Sequence, residues 1–153
     1  MTFVEAFVEH YRAVHQTLVS EIGVLSDEAI NWIPCEGANS IAVLVTHLLG
    51  NEVESLNVVT GAPSDRNRPA EFAVRAATSD QLLTLINQAD ATIEELGIRI
   101  QPNELEASFV RPAALDQTPR PGVFLLLHSV THAREHLGQI LLTKQLYLSS
   151  TRP

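Results

Sequence analysis

Residues 128–139, HSVTHAREHLGQ, place three of the six histidines of the chain at four-residue intervals inside an apolar stretch over 123–146. An α-helix turns about 100° per residue, so residues four apart lie nearly above one another, about 6 Å apart along the axis. His128, His132 and His136 would therefore form one row on a helix, as candidate metal ligands. One ion cannot bind all three, because two nitrogens on one zinc ion are at most about 4.2 Å apart and the outer pair spans about 12 Å.

The apolar positions of this helix favour one pair of histidines over the other. His128 points away from the apolar side, whereas His132 and His136 are turned about 40° and 80° towards it. His132 and His136 are therefore the better ligand pair, and a third ligand must come from elsewhere in the chain. The alternative is that all three are core-edge or solvated histidines, since this spacing also arises by chance. The apolar side consists of Leu126, Val130, Ala133, Leu137, Ile140 and Leu141.

The overall composition indicates one globular domain over residues 1–153. With 45% hydrophobic and 18% charged residues the chain is not expected to be disordered. No apolar segment is long enough to cross a bilayer, and the start of the chain lacks the pattern of a signal peptide. We therefore expect a cytoplasmic protein that does not bind membranes.

The charge of the chain argues against nucleic acid as a partner. A net charge of -8 and a pI near 5.1 disfavour binding to phosphate backbones. Four arginines stand out as two loop pairs, and we expect them to be solvated rather than to form an anion site. They are Arg66 and Arg68 in one loop, and Arg111 and Arg120 in another.

The single cysteine, Cys35, cannot form an internal disulfide, and the chain has no CxxC motif. Any metal must therefore be bound by imidazole and oxygen ligands. Because Cys35 lies outside the histidine motif, we do not expect it to act as a nucleophile.

Four long amphipathic helices are predicted from apolar residues that recur at intervals of three and four. This pattern predicts an all-α, up-and-down antiparallel four-helix bundle, with a short extra helix and an irregular segment before the last helix. In such a bundle the second and fourth helices run in the same direction. The long helices are predicted over 3–22, 41–59, 78–96 and 121–146, the short one over 26–33, a surface loop over 61–77, and undecided, partly extended structure over 98–120.

The second helix carries polar residues close to its apolar side. His47 lies on the flank of the apolar arc and Glu52 near its middle. A buried glutamate costs several kcal/mol without a partner, so we expect a cation, a donor, a metal or water beside it. Gly50 would allow another segment or a ligand to approach closely. His10 and His15 point about 140° apart on the first helix, and we expect them to be structural or solvated.

A three-histidine site from His47, His132 and His136 is permitted by this arrangement if the two helices are offset along their axes. Three imidazoles with one open position are typical of catalytic zinc sites. Imidazole ligands usually have their other nitrogen oriented by a polar neighbour. The candidates for that role, or for proton transfer, are Glu52, Gln139 and His128.

The segments WIPCEGANS (32–40), SIAVLVTHLLGNEVESL (40–56) and HSVTHAREHLGQILL (128–142) resemble the DinB-like superfamily, which includes the DUF664 group and bacterial thiol-dependent S-transferases and isomerases. The resemblance implies a four-helix bundle in which one histidine of the second helix and two of the last hold a divalent metal. His47, His132 and His136 match those positions. Much of the family has arginine after the last histidine, where this chain has Leu137, so a role of that arginine beside the metal is not carried over.

The resemblance also implies a function. We expect a metal-dependent enzyme, a thiol-dependent S-transferase or isomerase or a related hydrolase, that uses zinc, nickel or manganese. The metal would ionise a low-molecular-weight thiol, which would attack a small electrophilic substrate. The alternative is a non-catalytic metal-binding or stress-response bundle. Family members often form homodimers, for which we expect exposed apolar residues on the first helix.

Overall fold

Four long helices make up most of the computed structural model, which describes residues 1–151. The prediction of an all-α four-helix bundle is confirmed. The segment before the last helix contains a short helix and a two-stranded antiparallel ladder that pairs Phe109 with Arg120. The elements are α1 (Phe3–Ile22), α2 (Asp27–Asn31), α3 (Ile41–Thr60), α4 (Arg68–Phe72), α5 (Ser79–Gly97), α6 (Pro102–Glu106), β1 (Ser108–Phe109), β2 (Arg120–Pro121) and α7 (Gly122–Ser150).

Local capping explains where the first three long helices begin. The side chains of Thr2 and Thr78 form capping boxes with Glu5 and Gln81 at the starts of α1 and α5. Ser40 accepts a hydrogen bond from the backbone N–H of Val43 at the start of α3. The short helix α4 lies where the sequence predicted a surface loop. The short helix α6 lies in the segment for which the sequence gave no clear prediction. Pro69 and Pro102 occupy first-turn positions in them, where the missing N–H costs no hydrogen bond.

Pairs of contacting side chains show the direction of each helix. In α1 and α7 the residue numbers of contacting pairs rise together, so these helices are parallel. In α1 and α5, and again in α3 and α7, the numbers run in opposite senses, so these pairs are antiparallel. The contacts are Tyr11–Ser129 and Glu21–Lys144 for α1 with α7, Arg12–Glu94 and His15–Asp90 for α1 with α5, and His47–His132 and Asn51–Ser129 for α3 with α7.

The second and fourth long helices, α3 and α7, therefore run in opposite directions, and the expectation that they share a direction is wrong. It follows that α3 and α5 are parallel. Residues 61–78 must then return along the whole length of α3 before α5 can begin. Residues 61–78 form this return segment. It packs against α3, and Glu71 within it is buried.

The hydrophobic core lies between the four long helices, and α3 is the most deeply buried of them. Glu52 in α3 is fully buried, and its Oε2 lies 2.7 Å from Nε2 of His15, whose Nδ1 lies 2.7 Å from Asp90. The neighbouring helix thus supplies the donor expected for Glu52, and His15 is structural, as predicted. In residues 1–151 no helix is long and apolar enough to cross a membrane.

The array of Asp90, His15 and Glu52 holds a proton tightly. Burial opposes protonation of His15, but the hydrogen bonds to Glu52 and Asp90 outweigh it and raise the pKa of the imidazole. Burial also raises the pKa of Glu52, which the bond to His15 partly offsets. Both shifts mean that the folded chain binds more protons than the unfolded chain, so stability falls as pH rises.

We therefore expect the free energy of unfolding to fall as pH rises from the ordinary histidine pKa of 6.5 through the raised pKa of His15. His15→Gln should weaken this dependence and cost about 3 kcal/mol at pH 6, because it removes the charged partner of the buried Glu52. Urea unfolding between pH 6 and about pH 9 measures both effects. His10→Gln, an exposed change on the same helix, is the control. Equal pH dependence in His15→Gln and the wild type would contradict this interpretation.

Candidate metal centre

Three imidazole side chains converge where α3 meets α7. Nε2 of His132 lies 3.2 Å from Nε2 of His47 and 3.1 Å from Nε2 of His136. The three side chains offer ligand atoms that all lie within 4.8 Å of one another. Two nitrogens bound to one zinc ion at tetrahedral angles are about 3.4 Å apart. Both distances from His132 are therefore close to the spacing that a single divalent ion requires.

A buried polar chain sets the register of α3 against α7 next to this cluster. The Tyr11 hydroxyl donates to Ser129 Oγ at 2.6 Å, and Ser129 donates to Asn51 Oδ1 at 2.9 Å. A shift of α7 along α3 would break these bonds and leave buried polar groups without partners. The chain thus fixes the height at which His47 meets the two histidines of α7.

Two of the three imidazoles are oriented by hydrogen bonds at their outer nitrogens. Nδ1 of His47 lies 2.7 Å from Glu71 Oε2, and Nδ1 of His136 lies 2.7 Å from Gln139 Oε1. Each bond keeps a proton on Nδ1 and leaves Nε2 free to act as a ligand. Gln139 was among the candidates for this role, whereas Glu71 was not predicted. Nδ1 of His132 is buried and has no hydrogen-bond partner in the described part of the chain.

The surroundings of His132 and His136 favour the neutral forms of these two imidazoles. Burial, and then the neighbouring His136 and His47, lower the pKa of His132 to about 3. Burial is also the main cause that lowers the pKa of His136. A neutral imidazole is the form that binds a metal, so these two ligands need to release little or no proton on loading. His47 is buried, but His132 and His136 are partly exposed, so one side of the cluster is open.

The return segment holds Glu71 in place with an ion pair. Arg66 donates to both oxygens of Glu71, from Nε at 2.6 Å and Nη2 at 2.9 Å, and from Nη1 to Glu54 at 2.9 Å. Burial opposes ionisation of Glu71, but Arg66 and His47 outweigh it and lower the pKa of this carboxyl. Glu71 is therefore ionised beside His47. The expectation that Arg66 is solvated is wrong, since its side chain is only 6% exposed.

Gly50 makes the approach of Glu71 possible. A Cβ at position 50 would overlap the Glu71 carboxylate, so only glycine leaves room for it against α3. The sequence predicted a close approach at Gly50, and the approaching group is a side chain of the return segment. Phe72 follows directly and packs its ring 4.5 Å from the ring of His47, measured between centroids.

Three other residues considered from the sequence lie outside the cluster. Glu52 follows His47 by five positions, which turns it about 140° around α3 towards His15. His128 is exposed one turn before His132, and its ring stacks on Phe124 with centroids 6.3 Å apart. Cys35 is also exposed and free. The structure therefore does not bring Glu52, His128 or Cys35 into contact with the three clustered nitrogens.

The chain is similar to one protein family and to several solved structures. A family model described as "Protein of unknown function (DUF1572)" matches residues 1–150. No protein of curated function matches the chain significantly. Among solved structures, a conserved protein from Enterococcus faecalis matches with a TM-score of 0.80 and 15% identity, over 97% of this chain and 99% of that one.

Two further solved structures show the same fold. A DinB-like protein from Bacillus cereus matches with a TM-score of 0.72 and 15% identity, over 92% of this chain and 90% of that one. A mycothiol-dependent maleylpyruvate isomerase matches with a TM-score of 0.69 and 15% identity, over 91% of this chain but only 61% of that protein. The DinB-like fold that the histidine segments predicted is therefore confirmed.

We expect the chain, prepared without a polyhistidine tag, to bind one equivalent of a divalent ion such as zinc, nickel or manganese. His132→Ala should abolish this binding, because it removes the imidazole that lies between the other two. His10→Ala, which removes an exposed histidine, should leave it unchanged. Metal analysis after dialysis measures the stoichiometry, and binding in His132→Ala equal to the wild type would rule out this site.

Gly50→Ala should weaken metal binding about 10- to 100-fold, because the added methyl group displaces the Glu71 carboxylate from His47. Glu71→Gln should weaken it to a similar extent without crowding α3, and serves if Gly50→Ala folds poorly. Gly138→Ala is the matched control, since a Cβ there meets no atom within 4 Å. Competition with a chromophoric chelator measures the affinities. Unchanged affinity in both Gly50→Ala and Glu71→Gln would mean that Glu71 does not support the site.

Proposed function

This chain belongs to the DUF1572 family of proteins of unknown function, and we propose that it is a divalent-metal-dependent enzyme with a low-molecular-weight thiol as cosubstrate. The observation that carries the proposal is the cluster of His47, His132 and His136, whose nitrogens have metal-ligand spacing and whose open side faces solvent. A structural zinc site is typically closed by four protein ligands, whereas a catalytic site keeps a position open. Three ligands therefore favour catalysis.

The donor set fits several ions. Neutral imidazole suits zinc and nickel, and manganese accepts imidazole together with oxygen ligands. When bound, such an ion supplies a Lewis acid that lowers the pKa of a coordinated thiol or water. His47, His132 and His136 would hold it through Nε2.

The remaining residues of the site would orient the ligands. Glu71 accepts a hydrogen bond from Nδ1 of His47, and the side-chain carbonyl of Gln139 accepts one from Nδ1 of His136. Both bonds hold the proton away from the ligand nitrogen. Arg66 neutralises Glu71, so that this buried carboxylate remains bound at the site.

Support for a thiol cosubstrate comes from the shared fold. One structural neighbour is by name a mycothiol-dependent maleylpyruvate isomerase, of which this chain spans 61%. We carry over only the use of a thiol, for S-transfer, isomerisation or a related hydrolysis. The only cysteine, Cys35, is exposed and outside the cluster, so the reacting sulfur would come from the cosubstrate.

The proposed cytoplasmic location and homodimer remain predictions. Sedimentation at micromolar protein concentration tests the dimer. We expected the exposed apolar side chains of an interface on the first helix, but they lie mainly on α7. On the first helix, Val19 is the clearest case. Those on α7 are Val123, Phe124, Leu127, Leu142, Leu146 and Leu148.

Turnover assays with the metal-loaded protein test the enzymatic proposal. We expect a small electrophile to be converted in the presence of mycothiol or glutathione faster than in buffer, and His132→Ala to reduce the rate to that of the metal-free protein. Mass spectrometry of the electrophile and of its thiol adduct, isomer or hydrolysis product measures this, with His10→Ala as control. A protein that binds metal at the three histidines but never exceeds the uncatalysed rate would instead be the non-catalytic metal-binding or stress-response bundle.

A further inference from the structure

The segment between β1 and β2 closes over the end of the bundle where α7 begins. Its backbone is attached to α3, because the N–H of Ala113 donates to Glu54 Oε1 at 2.7 Å. The other oxygen of Glu54 accepts from Arg66 at 2.9 Å. Both oxygens of this buried carboxylate are therefore bound. Arg111 lies two residues before Ala113, half-buried and within electrostatic range of Glu54.

Arg111 is bound less completely than Arg66 in the described part of the chain, although Glu54 lies within electrostatic range of it. Its Nη1 is buried and has no hydrogen-bond partner there. Glu54 is already bound by Arg66 and Ala113, and Arg66 adds a second positive charge nearby. Nε and Nη2 of Arg111 are not buried in this way and donate to no residue of the described part of the chain, so they are free to bind an anion. Arg111 is therefore only partly the solvated loop residue that the sequence led us to expect.

A cavity of about 180 Å³ lies beside this guanidinium. Its lining includes Arg111, Arg120, Thr118 and His128 on the polar side and Phe124 on the apolar side. Asp116 also lines it, but this carboxylate is exposed and lies 3.6 Å from Arg120. At about 30 Å³ per water, the cavity has room for about six water molecules, which matches a small organic acid.

The cavity adjoins the candidate metal centre through His128. The ring of His128 lies 6.1 Å from the ring of His132, measured between centroids. The ring of His128 therefore lines the cavity on one side and neighbours the histidine cluster on the other. The cavity and the histidine cluster are separate sets of residues on the same side of α7.

We propose that Arg111 and this cavity form a binding subsite for a small carboxylate. Arginine suits this role because its planar guanidinium donates two parallel hydrogen bonds to a carboxylate. The role of this subsite in an enzyme rests on the proposed function. In that enzyme, the reacting molecule would be a small organic acid whose reactive end points towards the metal. The carboxylate belongs either to the electrophilic substrate or to the thiol cosubstrate.

Titration of succinate into the full-length His132→Ala protein, stripped of metal with a chelator, tests the subsite independently of catalysis. We expect succinate to bind, and Arg111→Gln on this background to weaken binding at least tenfold, because a charged hydrogen-bonded pair is lost. Arg99→Gln removes the same charge at an exposed site and should change the affinity less than twofold. Isothermal calorimetry measures the affinities, and circular dichroism checks folding. Arg111→Lys, which keeps the charge but not the paired donors, should also lose most of the affinity and serves if Arg111→Gln unfolds.

The source of the carboxylate is distinguished in the same experiment. Binding of glutathione but not of its diethyl ester would assign the carboxylate to the thiol, and binding of succinate without glutathione would assign it to the substrate. Absence of succinate and glutathione binding at millimolar concentration, or equal affinity in Arg111→Gln and its parent, would overturn the subsite. Inorganic phosphate binding tenfold more tightly than succinate would overturn its assignment to carboxylates. None of these results depends on metal binding or turnover, so the subsite and the proposed enzyme can fail separately.

Discussion

Buried polar side chains on α3 need partners, and the elements that supply them determine how the bundle is assembled. α3 is buried around most of its circumference, yet it carries His47, Asn51, Glu52 and Glu54. A buried charge without a partner costs several kcal/mol, so each of these groups selects a neighbour. Asn51 binds Ser129 of α7, and Glu52 binds His15 of α1. The return segment binds Glu54 through Arg66, and it binds His47 through Glu71. The same pairings that stabilise the core bring the three imidazoles together.

The helices themselves could be predicted from the sequence, but their directions could not. Apolar spacing and capping residues such as Thr78 are local signals, and they gave the long helices closely. Whether α3 runs with or against α7 depends on contacts between residues far apart in the chain, such as Tyr11 with Ser129. The proline, glycine and polar content of residues 61–77 resembles that of an exposed loop. Only the parallel arrangement of α3 and α5 requires these residues to run back along the bundle.

The candidate metal ligands were also found from the sequence, while their supports were not. The helical wheel selected His132 and His136, the placement of His47 on the second helix permitted it as the third ligand, and the resemblance matched the same three positions. Glu71 gave no recognisable signal, because its role depends on the return path of the chain, although Gly50 indicated that something packs closely there. Leu137, which follows the last of the three histidines, is part of the hydrophobic core. A guanidinium nevertheless lies beside His47, that of Arg66 in the return segment.

X-ray absorption at the edge of the bound metal tests the central claim most directly. The untagged full-length chain, loaded with one equivalent of zinc, should show three imidazole nitrogens at about 2.0–2.1 Å and at least one further light-atom ligand from solvent. Addition of a low-molecular-weight thiol should replace that ligand with sulfur at about 2.3 Å. A sphere with fewer than three imidazoles, or one that never accepts sulfur, would contradict an open three-histidine site that binds a thiol.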